Sequence, residues 1–346
     1  MPTEVEALQY NRRAMKAWVV REWGEPDSMK FETVDETDIA PDLLRIKVEA
    51  SAINFFDALL IAGTYQMKPD FPFTPGAEVA GTVVEAPEGS GFSPGDRVMA
   101  GAMMDKIGRG GYAEMVDTLP MVTQHIPDEM SLEDAAAFNI VYQTGYFGLH
   151  RRANLQAGEV LLVHGGAGGT GTAAIQLGKA AGATVIATAG SDEKVQVCLD
   201  LGADHAINYK TQDFADEVNK ITDRNGADVV WDPVGGDVYD RSTKCIAFEG
   251  RIVIVGFTSG RIPEAKANHV LVKNYAVVGL HWGAYNLRNP KLVEEVIKTL
   301  HEMYAKCQIK PHISATYPLS EAVAALKEVT SGKTTGKVLL KTKTRE

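Results

Sequence analysis

Cysteine is scarce: Cys198, Cys245 and Cys307 are the only three in 346 residues, and none forms a CxxC pair. That number and scatter exclude a disulfide framework or a thiolate zinc cluster and fit a reducing cytoplasm. Positive charge is also in short supply. Lys and Arg number 35 against 45 Asp and Glu, a net charge of −10, which argues against nucleic acid or an anionic membrane as partner, since either favours a basic face. No apolar run reaches the ~18 residues of a membrane span. The opening MPTEVEALQYNRR lacks the apolar core of a signal peptide and reads as a polar N-terminal extension. Internal repeats and low-complexity stretches are absent as well. What remains is an ordinary globular composition, 45% hydrophobic, with length enough for two domains.

The most specific feature present is EVLLVHGGAGGTG, from Glu159 to Gly171, followed at once by the apolar-periodic TAAIQLGKAAGA. It reads as a strand, a glycine turn and a helix, the setting of a dinucleotide-binding turn. Gly166 permits the tight turn, Gly168 lets backbone approach a pyrophosphate, and Gly171 allows helix to pack on strand, with Gly169 and Thr170 between them. A diphosphate then sits on free N–H groups at a helix N-terminus, where the dipole favours anions. Further strands are expected at Thr184–Ala189, His205–Asn208, Asp228–Asp232 and Gly250–Gly256, with a helix from about Asp192. This alternation predicts an α/β, doubly wound parallel sheet.

From Ala14 to about Leu119 the pattern changes to short strands cut by Pro and Gly: AMKAWVV, LLRIKVEAS, EVAGTVVEA and DRVMAG. That predicts a β-rich, partly barrel-like module. The stretch SLEDAAAFNIVYQTGYFGLH reads as a helix opened by Ser131 that carries the chain into the second module. PKLVEEVIKTLHEMYAKCQ reads as an amphipathic helix and TTGKVLLKTK as a last strand, both returning to the first module. The expected domains are therefore 1–136 with 285–346, and 137–284.

The stretches AINFFDALLIAGTY, PFTPGAEVAGTV, FSPGDRV, HGGAGGTG, GADHAINYK, WDPVGG and TTGKVLL together resemble the zinc-independent quinone oxidoreductases of the medium-chain dehydrogenase/reductase superfamily. The similarity runs from about Ala14 to Lys343, and VGLHWGAY with IKPHISATYPLSEAVAAL is most similar to the quinone oxidoreductase-like subgroup. The resemblance implies a Rossmann domain beside a GroES-like catalytic domain. Zinc-dependent relatives place a Cys just before the Asp-containing turn, a His in PGHE and a second Cys before Thr-Gly-Tyr. Here the chain has Asn54-Phe55-Phe56-Asp57, Ala77 and Ile140, side chains that do not bind zinc. His125, His150, His164 and His281 read as packed or surface residues. Without a Lewis acid, alcohol oxidation loses its usual support, and reduction of an already activated quinone or α,β-unsaturated carbonyl remains.

An NAD-selective site ends its second strand with an acid about twenty residues after the glycines. Here Ala189 stands there, followed by Gly190 and Ser191, and the next acids, Asp192 and Glu193, read as first-turn residues behind a Ser191 N-cap. Lys194 and Tyr209 match positions that grip the 2′-phosphate in the resembling family, so NADPH is the expected cofactor; Lys333 aligns only loosely. The resemblance also places Asn54, Asp57 and Tyr65 in the acceptor cleft. Asn54 would bond the nicotinamide ribose or an acceptor oxygen, and Tyr65 would either deliver a proton or pack over a loop. Asp57 reads as a structural acid, and Leu59 stands where many relatives carry a tyrosine. Thr144 and Tyr146, and Phe257 with Thr258 after the fifth strand, are further expected cofactor contacts.

Two other functions stay open: a 2-enoyl thioester (acyl-CoA) reductase, with His150-Arg151-Arg152 as the phosphate-binding candidate, and an NADPH-binding crystallin-like or sensor protein without turnover. The apolar run from Tyr275 to Trp282 reads as an edge strand that pairs with its copy in a homodimer.

Overall fold

The computed structural model describes residues 14–36, 38–102 and 109–342; the N-terminal extension lies outside them. The chain divides into two compact units, one running to Asn139 and resuming at Ile313, the other Ile140–His312.

The first unit opens with β1 (Ala14–Val19) and β2 (Lys30–Asp35), an antiparallel pair. Then come β3 (Leu44–Ile53), helix α1 (Phe55–Ile61), β4 (Glu78–Glu85), β5 (Arg97–Gly101), β6 (Met115–Thr118) and β7 (Thr123–His125). Helix α2 (Leu132–Tyr146) leads into the second unit. There the strands are β8 (Val160–Val163), β9 (Thr184–Ala189), β10 (His205–Asn208), β11 (Ala227–Asp232), β12 (Ile246–Ile254) and β13 (Ala276–Gly279). The helices between them are α3 (Gly169–Ala180), α4 (Asp192–Asp200), α5 (Phe214–Ile221), α6 (Gly236–Ser242) and α7 (Ala267–Lys273), followed by α8 (Gly283–Arg288) and α9 (Pro290–Ala305). The chain then returns to the first unit as β14 (Ile313–Pro318), α10 (Ala322–Thr330) and β15 (Lys337–Lys341).

In the second unit the parallel order is β10-β9-β8-β11-β12-β13, so the strand order reverses beside β8, where an open α/β sheet leaves a crevice for a ligand. Leu161, Leu162, Val163, Val185, Ile186, Val229 and Val230 are fully buried, as strands covered on both faces require. The fifth expected strand begins four residues early. Glu249 has φ +59 and the β11–β12 register shifts between Ala227 and Val229, so Phe248-Glu249-Gly250, just ahead of the expected start, is an irregularity inside one strand.

The first unit's larger sheet runs β14-β15-β3-β4-β5-β7, with β6 also on β3. Helices α8 and α9, expected to belong here, lie in the second unit. Gln176 donates to the Lys310 carbonyl at 2.9 Å and accepts its N–H at 2.6 Å, and Phe147 packs on Tyr285 at 4.3 Å. Amphipathic periodicity marks the buried face of α9, Val293, Val296, Ile297 and Leu300, and says nothing about which module covers it.

The carboxyl group of Asp57 sits in the first unit's core without a cation in direct contact. Asp57, in α1, is 0% exposed; Oδ2 accepts the Asn54 N–H at 2.8 Å and the Tyr112 hydroxyl at 2.9 Å, while Oδ1 has no partner. Burial pushes this carboxyl up to about 7, with Glu78 adding to the rise, against those two hydrogen bonds and the charge of Lys337. A carboxyl raised in the folded state contributes stability that is full below its ordinary value of 3.8 and is lost as pH rises through about 7. Asp57→Asn removes that dependence. Urea unfolding is therefore expected to separate parent and variant by more at pH 5 than at pH 8, and an equal separation at both would refute the assignment.

Candidate active site

The first unit gathers its sequence-predicted residues around a polar cluster. Asn54 leaves the end of β3 with extended backbone (φ −119, ψ 147) and opens α1. Its amide Nδ2 donates to Glu78 Oε1 at 3.1 Å and to the Ala52 carbonyl at 3.3 Å. Lys337, the first residue of β15, donates to Asn54 Oδ1 at 2.7 Å, to Glu78 Oε1 at 2.7 Å and to the Ile53 carbonyl at 3.2 Å. The ion pair is almost dry, with side-chain exposures of 4% for Lys337 and 0% for Glu78.

Tyr65 follows α1, its N–H held by the Leu59 carbonyl at 3.1 Å, and its half-buried ring stacks on Phe56 at 5.3 Å. Burial raises its phenol above the ordinary range; a hydrogen bond from Gln66 opposes this and the Asp57 charge adds to it. The phenol is therefore a proton donor at neutral pH. Ring packing and donor capacity coexist in one side chain.

In the second unit the glycine turn departs in one respect from its sequence reading. The positive φ falls on Gly165 (+60), whereas Gly166 is required by space: a Cβ there would lie 2.9 Å from Ala187 Cβ and 2.9 Å from Cys198 Sγ. A Cβ on Gly171 would lie 2.1 Å from the Gly165 carbonyl oxygen, so helix and turn touch there as expected. Gly168 is the N-cap of α3 and offers no side-chain acceptor. The N–H groups of Gly169, Thr170 and Gly171 thus open the helix as anion donors. Beneath the turn, His164 is 1% exposed and bridges Thr188 Oγ1 (3.0 Å) and Ser242 Oγ (2.8 Å). Ser242 spends its own proton on the Val238 carbonyl, so His164 donates through Nε2. Burial depresses its imidazole to about 3, which keeps it neutral.

At the carboxyl end of β9, Ser191 caps α4 by accepting the Lys194 N–H. Asp192 accepts from the Asn208 amide at 2.7 Å, a structural use that matches its reading as a first-turn acid. The Tyr209 hydroxyl lies against Gly190, where a Cβ would approach it to 2.5 Å. The Lys194 ammonium is depressed, first by burial and then by Lys210. Lys210 was not singled out from the sequence, although it directly follows Tyr209; a lysine in a turn carries no pattern of its own.

The remaining expected contacts divide. Phe257 is 39% exposed and lies where a Cβ on Gly235 would come within 2.9 Å of its ring, and the Thr258 N–H donates to the Pro233 carbonyl; both follow the carboxyl end of β12. Thr144 is buried in α2 and spends its hydroxyl proton on the Ile140 carbonyl at 2.6 Å. Tyr146 packs on His150 with tilted rings 4.5 Å apart, and Arg152 donates to the Gly279 carbonyl. Lys333 lies in the turn after α10, its N–H on Ser331 Oγ.

Ala77 and Ile140 carry no ligand atoms, and Glu78 beside Ala77 is engaged by Lys337. Among the described residues no group of three His, Cys, Asp or Glu side chains could hold a metal ion. At Asn54, Ala77 and Ile140 the side chains do not form a zinc ligand set.

Residues 40–128 match the alcohol dehydrogenase GroES-like domain and residues 169–302 the zinc-binding dehydrogenase family. A quinone oxidoreductase-like protein 2 homolog from Nematostella vectensis is 37% identical over 96% of this chain and 90% of its own length. Quinone oxidoreductase-like protein 2 from Bos taurus is 38% identical over 90% of this chain and 89% of its own. Escherichia coli quinone oxidoreductase, solved as a complex with NADPH, superposes with a TM-score of 0.87 at 28% identity, covering 94% of this chain and 99% of that one. With both units matched and the similarity running through nearly the whole of each relative, the chain belongs to the quinone oxidoreductase-like family of the medium-chain dehydrogenase/reductase superfamily, a family of oxidoreductases.

Proposed function

We propose that this protein is an NADPH-dependent reductase that transfers hydride to a quinone or another α,β-unsaturated carbonyl without zinc. The observation that carries the reading is the end of β9: Ala189 where an NAD-selective site has an acid, then Gly190 and Ser191, with Lys194 and Lys210 close enough for one charge to depress the other and the Tyr209 hydroxyl on Gly190. Two cations and a hydroxyl at that place suit a 2′-phosphate. The Escherichia coli relative's complex with NADPH supports it.

In this reading the N–H groups of Gly169, Thr170 and Gly171 bind the diphosphate, with Gly166 and Gly168 keeping the turn bare. Phe257 and Thr258 border the nicotinamide half, and Thr144 contributes only as an acceptor because its proton is spent. When bound, the reduced nicotinamide supplies hydride. Tyr65 holds a proton that burial retains at neutral pH and gives it to the acceptor oxygen as negative charge collects there. The acceptor must arrive already electrophilic, since the cluster's one ammonium, on Lys337, is surrounded by its own acceptors.

The protein is also read as a homodimer. Among the described residues strand β13, within Tyr275–Trp282, pairs only with β12, and Leu271 and Val272 on neighbouring α7 are 76% and 80% exposed. An uncovered edge beside apolar residues suits a second copy related by a two-fold axis. The three cysteines are all free thiols, which supports a reducing compartment such as the cytoplasm.

Lys194→Ala and Lys210→Ala should each weaken NADPH binding about tenfold and leave NADH unchanged in fluorescence titrations; an unaltered NADPH/NADH ratio in both would refute the phosphate site. Tyr65→Phe should lower kcat for a naphthoquinone or an enone about a hundredfold with NADPH affinity retained, whereas a ring that only packs predicts no change. Val277→Lys, at the centre of β13, should convert the dimer to monomer in sedimentation velocity, and a parent that already sediments as a monomer would rule the interface out.

A further inference from the structure

Thr188, in β9, grips the glycine turn on both sides of its left-handed residue. The last paired residues of β8 and β9 are Val163 and Ala187. Beyond them, the Thr188 carbonyl accepts the Gly166 N–H at 2.9 Å and the Thr188 hydroxyl lies 3.0 Å from His164 Nδ1, so residues 164 and 166 are both held while Gly165 between them takes φ +60. The Gly165 carbonyl in turn accepts the N–H of Gly168 at 2.9 Å, at the N-cap from which α3 starts. Hydrogen-bond directions around His164 follow from one proton. Ser242 gives its own to the Val238 carbonyl at 2.7 Å, so Nε2 donates to Ser242. A neutral imidazole then has only Nδ1 as acceptor, and the Thr188 hydroxyl is its donor. All three side chains are buried, where a lost partner is not replaced by bulk water. Strand β9 leads on through Ala189, whose carbonyl accepts the Tyr209 N–H at 3.1 Å, to Gly190 and Ser191.

We propose that His164 and Thr188 are positioning residues that set the separation between two phosphate subsites, the N–H groups opening α3 and the turn at Gly190, so that one dinucleotide occupies both. The 5′- and 2′-phosphates of an adenosine nucleotide are tied to one ribose, which limits how far apart they reach. Two subsites therefore reinforce each other only where the protein holds them at a matching distance. Both side chains are buried beneath the turn and act on a nucleotide only through it. The inference deepens the NADPH reading and rests on it.

Thr188→Val keeps the branched shape and the backbone carbonyl and removes the proton given to His164, whereas Thr188→Ser keeps that proton. Calorimetric titrations compare adenosine 2′-monophosphate and pyrophosphate, each able to fill one subsite, with adenosine 2′,5′-bisphosphate, which fills both. In Thr188→Val the bisphosphate should bind about tenfold more weakly while each single-subsite ligand stays within about twofold of the parent. Thr188→Ser should restore the parent's affinity. Should Thr188→Val lower the thermal midpoint far below the parent's, His164→Phe/Thr188→Val/Ser242→Ala removes every side-chain partner together, strands none of them and should give the same pattern. An equal loss for all three ligands, as a merely structural role predicts, overturns the proposal; so does an unchanged bisphosphate affinity, or a serine variant as weak as the valine one. A parent that binds the bisphosphate no more tightly than adenosine 5′-monophosphate has no second subsite to position and defeats the NADPH reading together with the proposal, whereas a failure confined to the variants leaves that reading standing.

Discussion

A lysine and a glutamate with almost no access to water govern the β-rich unit. Taking two ions out of water costs several kcal/mol each, and Lys337 and Glu78 recover it only because every donor of the ammonium is used. The pair spans 259 residues of sequence and joins the first residue of β15 to the first residue of β4. Strand β15 lies between β14 and β3, so the same contact that neutralises Glu78 holds the returning end of the chain against the strand that delivers Asn54. The charge balance then reaches Asp57. One cation faces two carboxyl groups, Glu78 has the direct contact, and Asp57, with an unpartnered oxygen, is the group whose proton is held up to about 7.

The nucleotide unit uses charge in the opposite way. Lys194 and Lys210 lie close enough for the second to depress the first, a repulsion that an anion placed between them would relieve. The turn before α3 likewise leaves N–H groups uncapped by any side chain. The first unit satisfies its buried ion pair internally, and in the second the N–H groups that open α3 and the two lysines follow the carboxyl ends of the neighbouring strands β8, β9 and β10.

Local patterns made the second unit legible: β9 and β10 occur at the expected residues, and Ser191 caps α4 as read. Those features depend on neighbours in sequence, whether through a cap, a two-residue period or a run of β-branched residues. The fifth strand starts four residues before its expected place, and the positive φ at Glu249 falls at the junction between the missed and the expected part. Glu78 and Lys337 could not be found by such reasoning. A lysine opening the run KVLLK and a glutamate opening EVAGTVVE look like strand-end solvated charges, and only the fold brings them to 2.7 Å. The three-residue spacing of Asn54 and Asp57 was visible, yet the direction of the Asn54 amide depends on partners 24 and 283 residues away.

That direction bears on what kind of reaction the cluster can support. Oxidising an alcohol requires a cation or donor at the oxygen that loses its proton, and in this cluster Lys337 is fully occupied, Asn54 has spent both amide protons, and Ala77 and Ile140 offer no ligand atom to a metal. A substrate whose own conjugation spreads the incoming charge needs less from the protein. In the proposed reduction of a quinone or enone, little more than orientation and one proton donor would be asked of the protein, and the half-buried Tyr65 phenol, protonated at neutral pH, would be that donor.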